Sequence, residues 1–241
     1  MIEFRNVVKD FGDHRVLNSA NFTIRDGEFF VLVGPSGSGK TTMLKMINAL
    51  ETATQGDVLV NGKRVTDYNL RDLRFDVGYV LQAGSLFPNL TVAENIAVIA
   101  KMKKWRPERI KQQTEILLDK VGLSPQEFMN RMPQDLSGGQ AQRIGILRAL
   151  ITRPDIILMD EPFSALDPMS RVQLQELVVD LHKEFKTTVV FVTHDMTEAV
   201  KIADRVCIVH DGNIEQIGTP HDVTHHAATD FVAKLFDGQG I

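Results

Sequence analysis

The chain is expected to fold as an α/β protein around a mostly parallel sheet, and three observations carry that expectation. Residues 28–33, 156–159 and 187–193 are apolar runs without strict alternation, the pattern of strands buried on both faces. A helical pattern from Ser170 to Phe185 lies between the second and third runs, as a parallel crossover requires. A glycine-rich loop, residues 34–41, separates the first run from a helical stretch at 42–48.

The remaining elements follow in order. Residues 2–7 alternate like a half-buried strand, Gly12-Asp13 marks a turn, and 21–24 read as a strand ending at Asp26-Gly27. Residues 57–60 run as a strand into the Asn61-Gly62 turn, and 77–82 form another. From 91 to 150 the pattern is mostly helical, broken at Pro107, at Gly122-Leu123-Ser124-Pro125 and at Pro133. We therefore expect a core over 1–86 and 150–220 that includes an antiparallel β subdomain, an inserted helical subdomain over 87–149, and a tail over 221–241. No internal repeat or low-complexity stretch interrupts it.

Composition excludes several classes. With 43% hydrophobic and 24% charged residues the 241-residue chain is ordinary globular protein. A net charge of −4 gives no electrostatic footprint for nucleic acid. The single cysteine, Cys207, rules out a disulfide framework and reads as a buried strand thiol. No apolar run approaches a membrane span and the start lacks a signal-peptide pattern, so any membrane role is expected to be peripheral.

The chemistry begins at Gly34-Pro35-Ser36-Gly37-Ser38-Gly39-Lys40-Thr41. In a G-x-x-x-x-G-K-[ST] loop the backbone N–H groups turn inward around a polyphosphate, the lysine reaches the β- and γ-phosphates, and the hydroxyl sits on Mg²⁺. The helix from Thr42 onward would point its positive end at the same phosphates. The run 156–159 ends in Asp160-Glu161, adjacent carboxylates that are costly at a buried strand end unless used. Asp160 suits Mg²⁺ and Glu161 suits the polarisation of an attacking water. In Leu136-Ser137-Gly138-Gly139-Gln140, Ser137 can cap the helix that follows while two glycines leave amides for an anion.

Together these motifs resemble the ATP-binding-cassette ATPases over nearly the whole chain, with Leu136 to Gln140 as the signature motif. The resemblance implies a P-loop (RecA-like) core, ATP and Mg²⁺ as cofactors, and further roles for matched positions. Gln82 matches the Q-loop glutamine that senses Mg²⁺, and Ser164-Ala165-Leu166-Asp167 matches the D-loop that crosses to a partner subunit. His194 matches the switch histidine at the γ-phosphate. Phe11 stands where the family stacks an aromatic ring, often Tyr, on adenine, with Val16 alongside. Ala141 departs from the larger polar residue usual after the signature. In this family Ser137 and Gly139 act on ATP held by the other subunit's loop, so a homodimer with sandwiched nucleotide is implied.

Residues 44–48, 77–82, 103–105 and 191–196 look most like the importer ATPases for quaternary-amine osmoprotectants, namely glycine betaine, carnitine and choline. That implies transmembrane permease subunits, an extracytoplasmic substrate-binding protein, and a place at the cytoplasmic face of the membrane. The apolar Leu86-Phe87-Pro88 falls where the family docks its permease. Many members of that group continue into CBS domains, absent from residues 1–241; either the sequence is a piece of a longer chain or this member lacks them, and osmotic gating is not expected from these residues. The alternatives are an importer of another small solute, such as a polyamine or amino acid, and a non-transport cassette. Cassettes of DNA repair carry long coiled coils between the Q-loop and the signature, and Gln82 stands too near Ser137 for one. Import over export rests on the resemblance alone. His221, His225 and His226 are expected in a solvated loop without a metal.

Overall fold

The computed structural model describes residues 1–82 and 85–236. In chain order these form β1 (Ile2–Phe11), β2 (His14–Ile24), β3 (Phe29–Val33), α1 (Lys40–Ile47), β4 (Gln55–Val60) and β5 (Lys63–Arg64). Then come α2 (Leu70–Asp76), β6 (Val77–Val80), α3 (Val92–Met102), α4 (Pro107–Lys120), α5 (Pro125–Phe128) and α6 (Gly138–Leu150). The last third holds β7 (Ile156–Asp160), α7 (Pro168–Phe185), β8 (Thr188–Thr193), α8 (Met196–Ile202), β9 (Arg205–His210), β10 (Asn213–Gly218), α9 (Pro220–His225) and α10 (Asp230–Phe236). They gather into two compact units, one of Met1–Arg74 with the stretch from Lys186 onward, the other of Phe75–Phe185.

The first unit contains two sheets. One is antiparallel, in the order β2-β1-β4-β5. In the other, β3 pairs in parallel with β8 on one side and β9 on the other, and β10 pairs antiparallel with β9. Every residue of β3 and β8 is buried, which explains why both read as continuous apolar runs. Phe4 stacks on Phe22 at 4.4 Å between centroids and Phe22 on Phe30 at 5.6 Å, so aromatic packing joins the two sheets. Glu28, itself buried, is paired with Arg205 at 3.0 Å at the entrance to β3.

The second unit pairs β6 and β7 in parallel and packs α3, α4 and α6 around an apolar cluster that includes Ile96, Leu117, Leu118, Ile144 and Leu147. The prolines are starts rather than interruptions. Pro107 and Pro125 each occupy the first turn of a helix, and Pro133 opens a single 3₁₀ turn. Thr91 and Glu94 close a reciprocal capping box at the head of α3. Asn95, fully buried on α3, donates to the carbonyls of Phe87, Leu90 and Thr91 and accepts from the Phe87 amide, fixing the loop that leads into the helix. Leu117 is buried at the centre of the cluster, and Leu117→Ala is expected to cost about 2–5 kcal/mol, read as a fall in the unfolding midpoint of this unit.

The expected helical lobe, 87–149, falls inside the second unit, which also takes in β6, β7 and α7. One local expectation is corrected. His221 and His225 lie on the short helix α9, not in a loop, because Thr219 caps it in a box with Asp222 and Pro220 takes its first position. The rings of His221, His225 and His226 are exposed, and among the described residues no cluster of His, Cys, Asp or Glu could hold a metal ion. Among them too, no helix is long and apolar enough to cross a membrane.

Candidate functional site

In the first unit the strand β3 ends at Val33 and the chain turns into the loop 34–39 before α1 begins at Lys40. Two of its glycines are steric necessities. Gly34 has φ +151°, and a Cβ there would lie 2.0 Å from the carbonyl oxygen of Val209 on β9. Gly39, the N-cap residue of α1, has φ +101°, and a Cβ would meet Leu17 at 2.6 Å. Gly34 therefore lies hard against β9 and Gly39 against β2, while Pro35, Ser36 and Gly37 stay exposed.

Lys40 is the buried cation of this loop, only 4% exposed. Its ammonium donates to the carbonyls of Gly34 at 2.8 Å and Pro35 at 2.7 Å and to the Ser38 hydroxyl at 3.3 Å. A lysine drawn this far inside places its charge at the centre of the loop instead of in solvent. Thr41 and Thr42 follow in the first turn of α1, half-buried. Phe11 ends β1 opposite His14, with its ring exposed, and the backbone of Val16 on β2 approaches Gly39.

His194 follows β8 directly. Asp195 caps α8 by accepting from the amides of Thr197 and Glu198, and Thr193 donates to the buried Glu198 carboxylate at 2.7 Å. These bonds hold both neighbours of His194 while its own side chain stays exposed. A cavity of 460 Å³ is lined by Gly34, Pro35, His194, Asp195, Met196, Thr197 and Leu235, so the structure brings the switch-histidine candidate and the phosphate loop to one space.

In the second unit β7 carries Asp160 and Glu161 out of the core, both half-buried. The Tyr79 hydroxyl on β6 lies 3.4 Å from the Asp160 carboxylate. Burial, and after it the Asp160 charge, pushes the Tyr79 hydroxyl well above its ordinary pKa, so it stays neutral and faces the carboxylate as a donor. Glu161 sits at φ +44°, a left-handed conformation rare outside glycine, immediately before Pro162. Gln82 donates to the Ser164 hydroxyl at 3.2 Å, and that hydroxyl donates to the Glu161 carbonyl at 3.0 Å. The glutamine is thus tied, through one serine, to the backbone of the acidic pair.

The signature candidate lies in the same unit. Ser137 caps α6 in a reciprocal box with Gln140, accepting from its amide at 3.3 Å, while the Gln140 side chain accepts from the Ser137 amide at 3.0 Å. Gly138 and Gly139 form the first turn, and a Cβ on Gly139 would stand 3.5 Å from Ser170 at the head of α7. Asp167 accepts from the Ser170 amide at 3.0 Å, and the hydrogen bond from Ser170 holds its carboxyl below the usual range. The head of α6 and the D-loop candidate are therefore neighbours.

Several residues escaped the sequence reading. Tyr79 was seen only as a strand residue, although its place one strand over from Asp160 follows once β6 and β7 are paired. Lys9 carries a signal that could have been read, a cation two positions before Phe11 on the same strand face. Thr114, 1% exposed with no hydrogen-bond partner for its hydroxyl, gave no signal in a helical pattern. Ala83 and Gly84, quoted with the Q-loop, lie outside the described residues.

A glycine loop around a buried lysine at a strand-to-helix turn, with an Asp-Glu pair ending a separate buried strand, defines a P-loop nucleotide-binding protein. The chain belongs to the ABC transporter family, whose pattern it matches over residues 17–164. It is 46% identical to the choline transport ATP-binding protein OpuBA of Bacillus subtilis, over 98% of this chain and 62% of that protein. It is 44% identical to the glycine betaine/carnitine/choline transport ATP-binding protein OpuCA of the same organism, with the same shares covered. The chain thus spans about three fifths of the length of these relatives. Among solved structures, it resembles a dimeric ATP-binding cassette in a post-hydrolysis state bound to ADP and Pi. That match has a TM-score of 0.81 and 34% identity and covers 91% of this chain and 99% of the other.

Proposed function

We propose that this chain is the ATP-hydrolysing subunit of an ABC importer that takes up a quaternary-amine osmoprotectant such as glycine betaine, carnitine or choline. The observation that carries the reading is its likeness, across nearly its whole length, to ATP-binding subunits named for those solutes. Water attacks the γ-phosphorus in line, the bond to the ADP oxygen breaks, and Glu161 takes the proton from the water. Lys40 and the loop of Gly34, Pro35, Ser36, Gly37, Ser38 and Gly39, through the N–H groups of its residues other than Pro35, hold the phosphates, with Thr42 beside them, and His194 positions the γ-phosphate. Phe11 and Val16 receive the adenine. Ser137, Gly138, Gly139 and Gln140, with Asp167, act on nucleotide held by a second copy.

Thr41, Gln82 and Asp160 are oxygen donors of the kind that would suit Mg²⁺, which binds through one or two carboxylates and completes its shell from other oxygens, phosphate and water. The half-buried Asp160, faced by a neutral Tyr79 donor, supplies the single carboxylate such a site needs. When bound, the ion would supply positive charge that offsets the charge of the phosphates.

A permease partner is supported by a groove of 310 Å³ on the second unit, lined by Ala93, Ala97, Trp105, Ile110, Thr114 and Met129 among others. Its apolar floor suits a short segment of a membrane protein. Phe87 is exposed, while Leu86 packs against the helical cluster. An extracytoplasmic binding protein and a position at the cytoplasmic face of the membrane complete the proposal. Co-purification of the native protein from solubilised membranes, with mass spectrometry of what accompanies it, tests it. A multi-span permease together with an amine-binding protein is the expected result. Recovery with a permease for another solute would change the substrate, and recovery with ribosomes or DNA would overturn transport.

A further inference from the structure

We propose that Lys9 is a positioning residue for the nucleobase, its buried ammonium fixing one face of the Phe11 ring so that the other is presented to adenine. The inference rests on the reading of Phe11 as the adenine platform. Phe11 closes β1 at the tip of a hairpin, opposite His14, and its side chain is 47% exposed. A phenyl ring left about half exposed at such a tip is only partly held by packing.

Lys9 stands two residues earlier and so shares its strand face. It is only 8% exposed, unusual for a lysine on a surface hairpin. Its ammonium lies 4.4 Å from the Phe11 ring centroid. It donates to the Thr52 carbonyl at 2.9 Å and pairs with the Glu51 carboxylate at 3.1 Å. With two partners fixed in this way, the ammonium is held in place against the ring.

Two physical effects follow. The held cation restrains the ring, which lowers the entropy lost when a base stacks on it. It also draws electron density from one face, favouring an electron-rich purine on the other. The anchor has a structural logic as well. Glu51 and Thr52 lie just beyond α1, and the Glu51 amide donates to Lys45 within that helix. The same helix begins at Lys40 in the phosphate loop. The base platform and the phosphate loop are therefore braced on the two ends of one helix, which sets the span between them.

The test compares K9M, K9R, F11A and the K9M/F11A double variant of the full chain, with ATP and inorganic tripolyphosphate binding measured by calorimetry alongside steady-state ATPase kinetics. K9M keeps the aliphatic stem and removes the charge. It is expected to weaken ATP binding about three- to tenfold, raise KM without lowering kcat, and leave tripolyphosphate affinity unchanged. K9R keeps a cation and is expected to restore ATP affinity, and K9M should add nothing in the F11A background. Equal losses for ATP and tripolyphosphate, or a full K9M effect without the ring, would make Lys9 merely structural and overturn the inference. An F11A variant with undiminished ATP affinity would remove the platform itself, a failure seen in that single variant regardless of Lys9.

Discussion

Lys40→Ala is expected to lower ATP turnover by about a hundredfold or more, and to weaken triphosphate binding with it. Lys40 is the cation buried in the loop, and it donates to loop atoms of Gly34, Pro35 and Ser38. Its charge is therefore placed for anything that enters the loop and is shielded from water, which strengthens its attraction for phosphate. The substitution also strips a partner from two carbonyls and a hydroxyl, a structural cost that must be separated from the catalytic one. Thermal unfolding without nucleotide measures that cost, and calorimetric ATP titration with steady-state kinetics measures the rest. A folded variant that hydrolyses ATP at the parental rate would remove Lys40 from the site.

Glu161→Gln is the complementary case. The amide is nearly isosteric, so the left-handed turn at φ +44° and the Ser164 bond to its backbone carbonyl are expected to persist. What is lost is the capacity to accept a proton from water. Turnover is expected to fall by about a hundredfold or more while ATP affinity holds. Because nucleotide then stays intact, a dimer should accumulate with ATP, visible by light scattering on a sizing column, and disperse when ATP is withdrawn. Normal hydrolysis in this variant would assign the base elsewhere.

Much of this was legible in the sequence for definite reasons. The runs that became β3, β7 and β8 were plain because strands buried on both faces tolerate no polar alternation. The helical stretch was segmented correctly by its prolines, which the structure turns into helix starts. Asp160-Glu161 stands out in the sequence because two carboxylates at an apolar strand end are costly unless used. Less visible were β10, whose residues are all exposed or half-buried, and α8, α9 and α10, each too short to show a period. The first residues of β2 were missed for a related reason. Its burial alternates irregularly, with Ser19 at φ +67° and register shifts against β1. No pattern in the chain announces the φ of Glu161 or the partner of Asp160, since both depend on how strands pair after folding.

The contact between Gly34 and the backbone of β9 carries a consequence for biogenesis. The loop is written well before the surface that seats it, which comes from Val209, and β3 gains its flanking strands from residues 188–193 and 205–208. Such long-range closure delays assembly until the distant segments exist. On the ribosome, a nascent chain that has reached the loop but not β9 therefore carries the motif without the backbone that seats it. A fragment cut before β9 lacks the backbone against which Gly34 lies, and it is expected to bind ATP more weakly than the chain that contains β9.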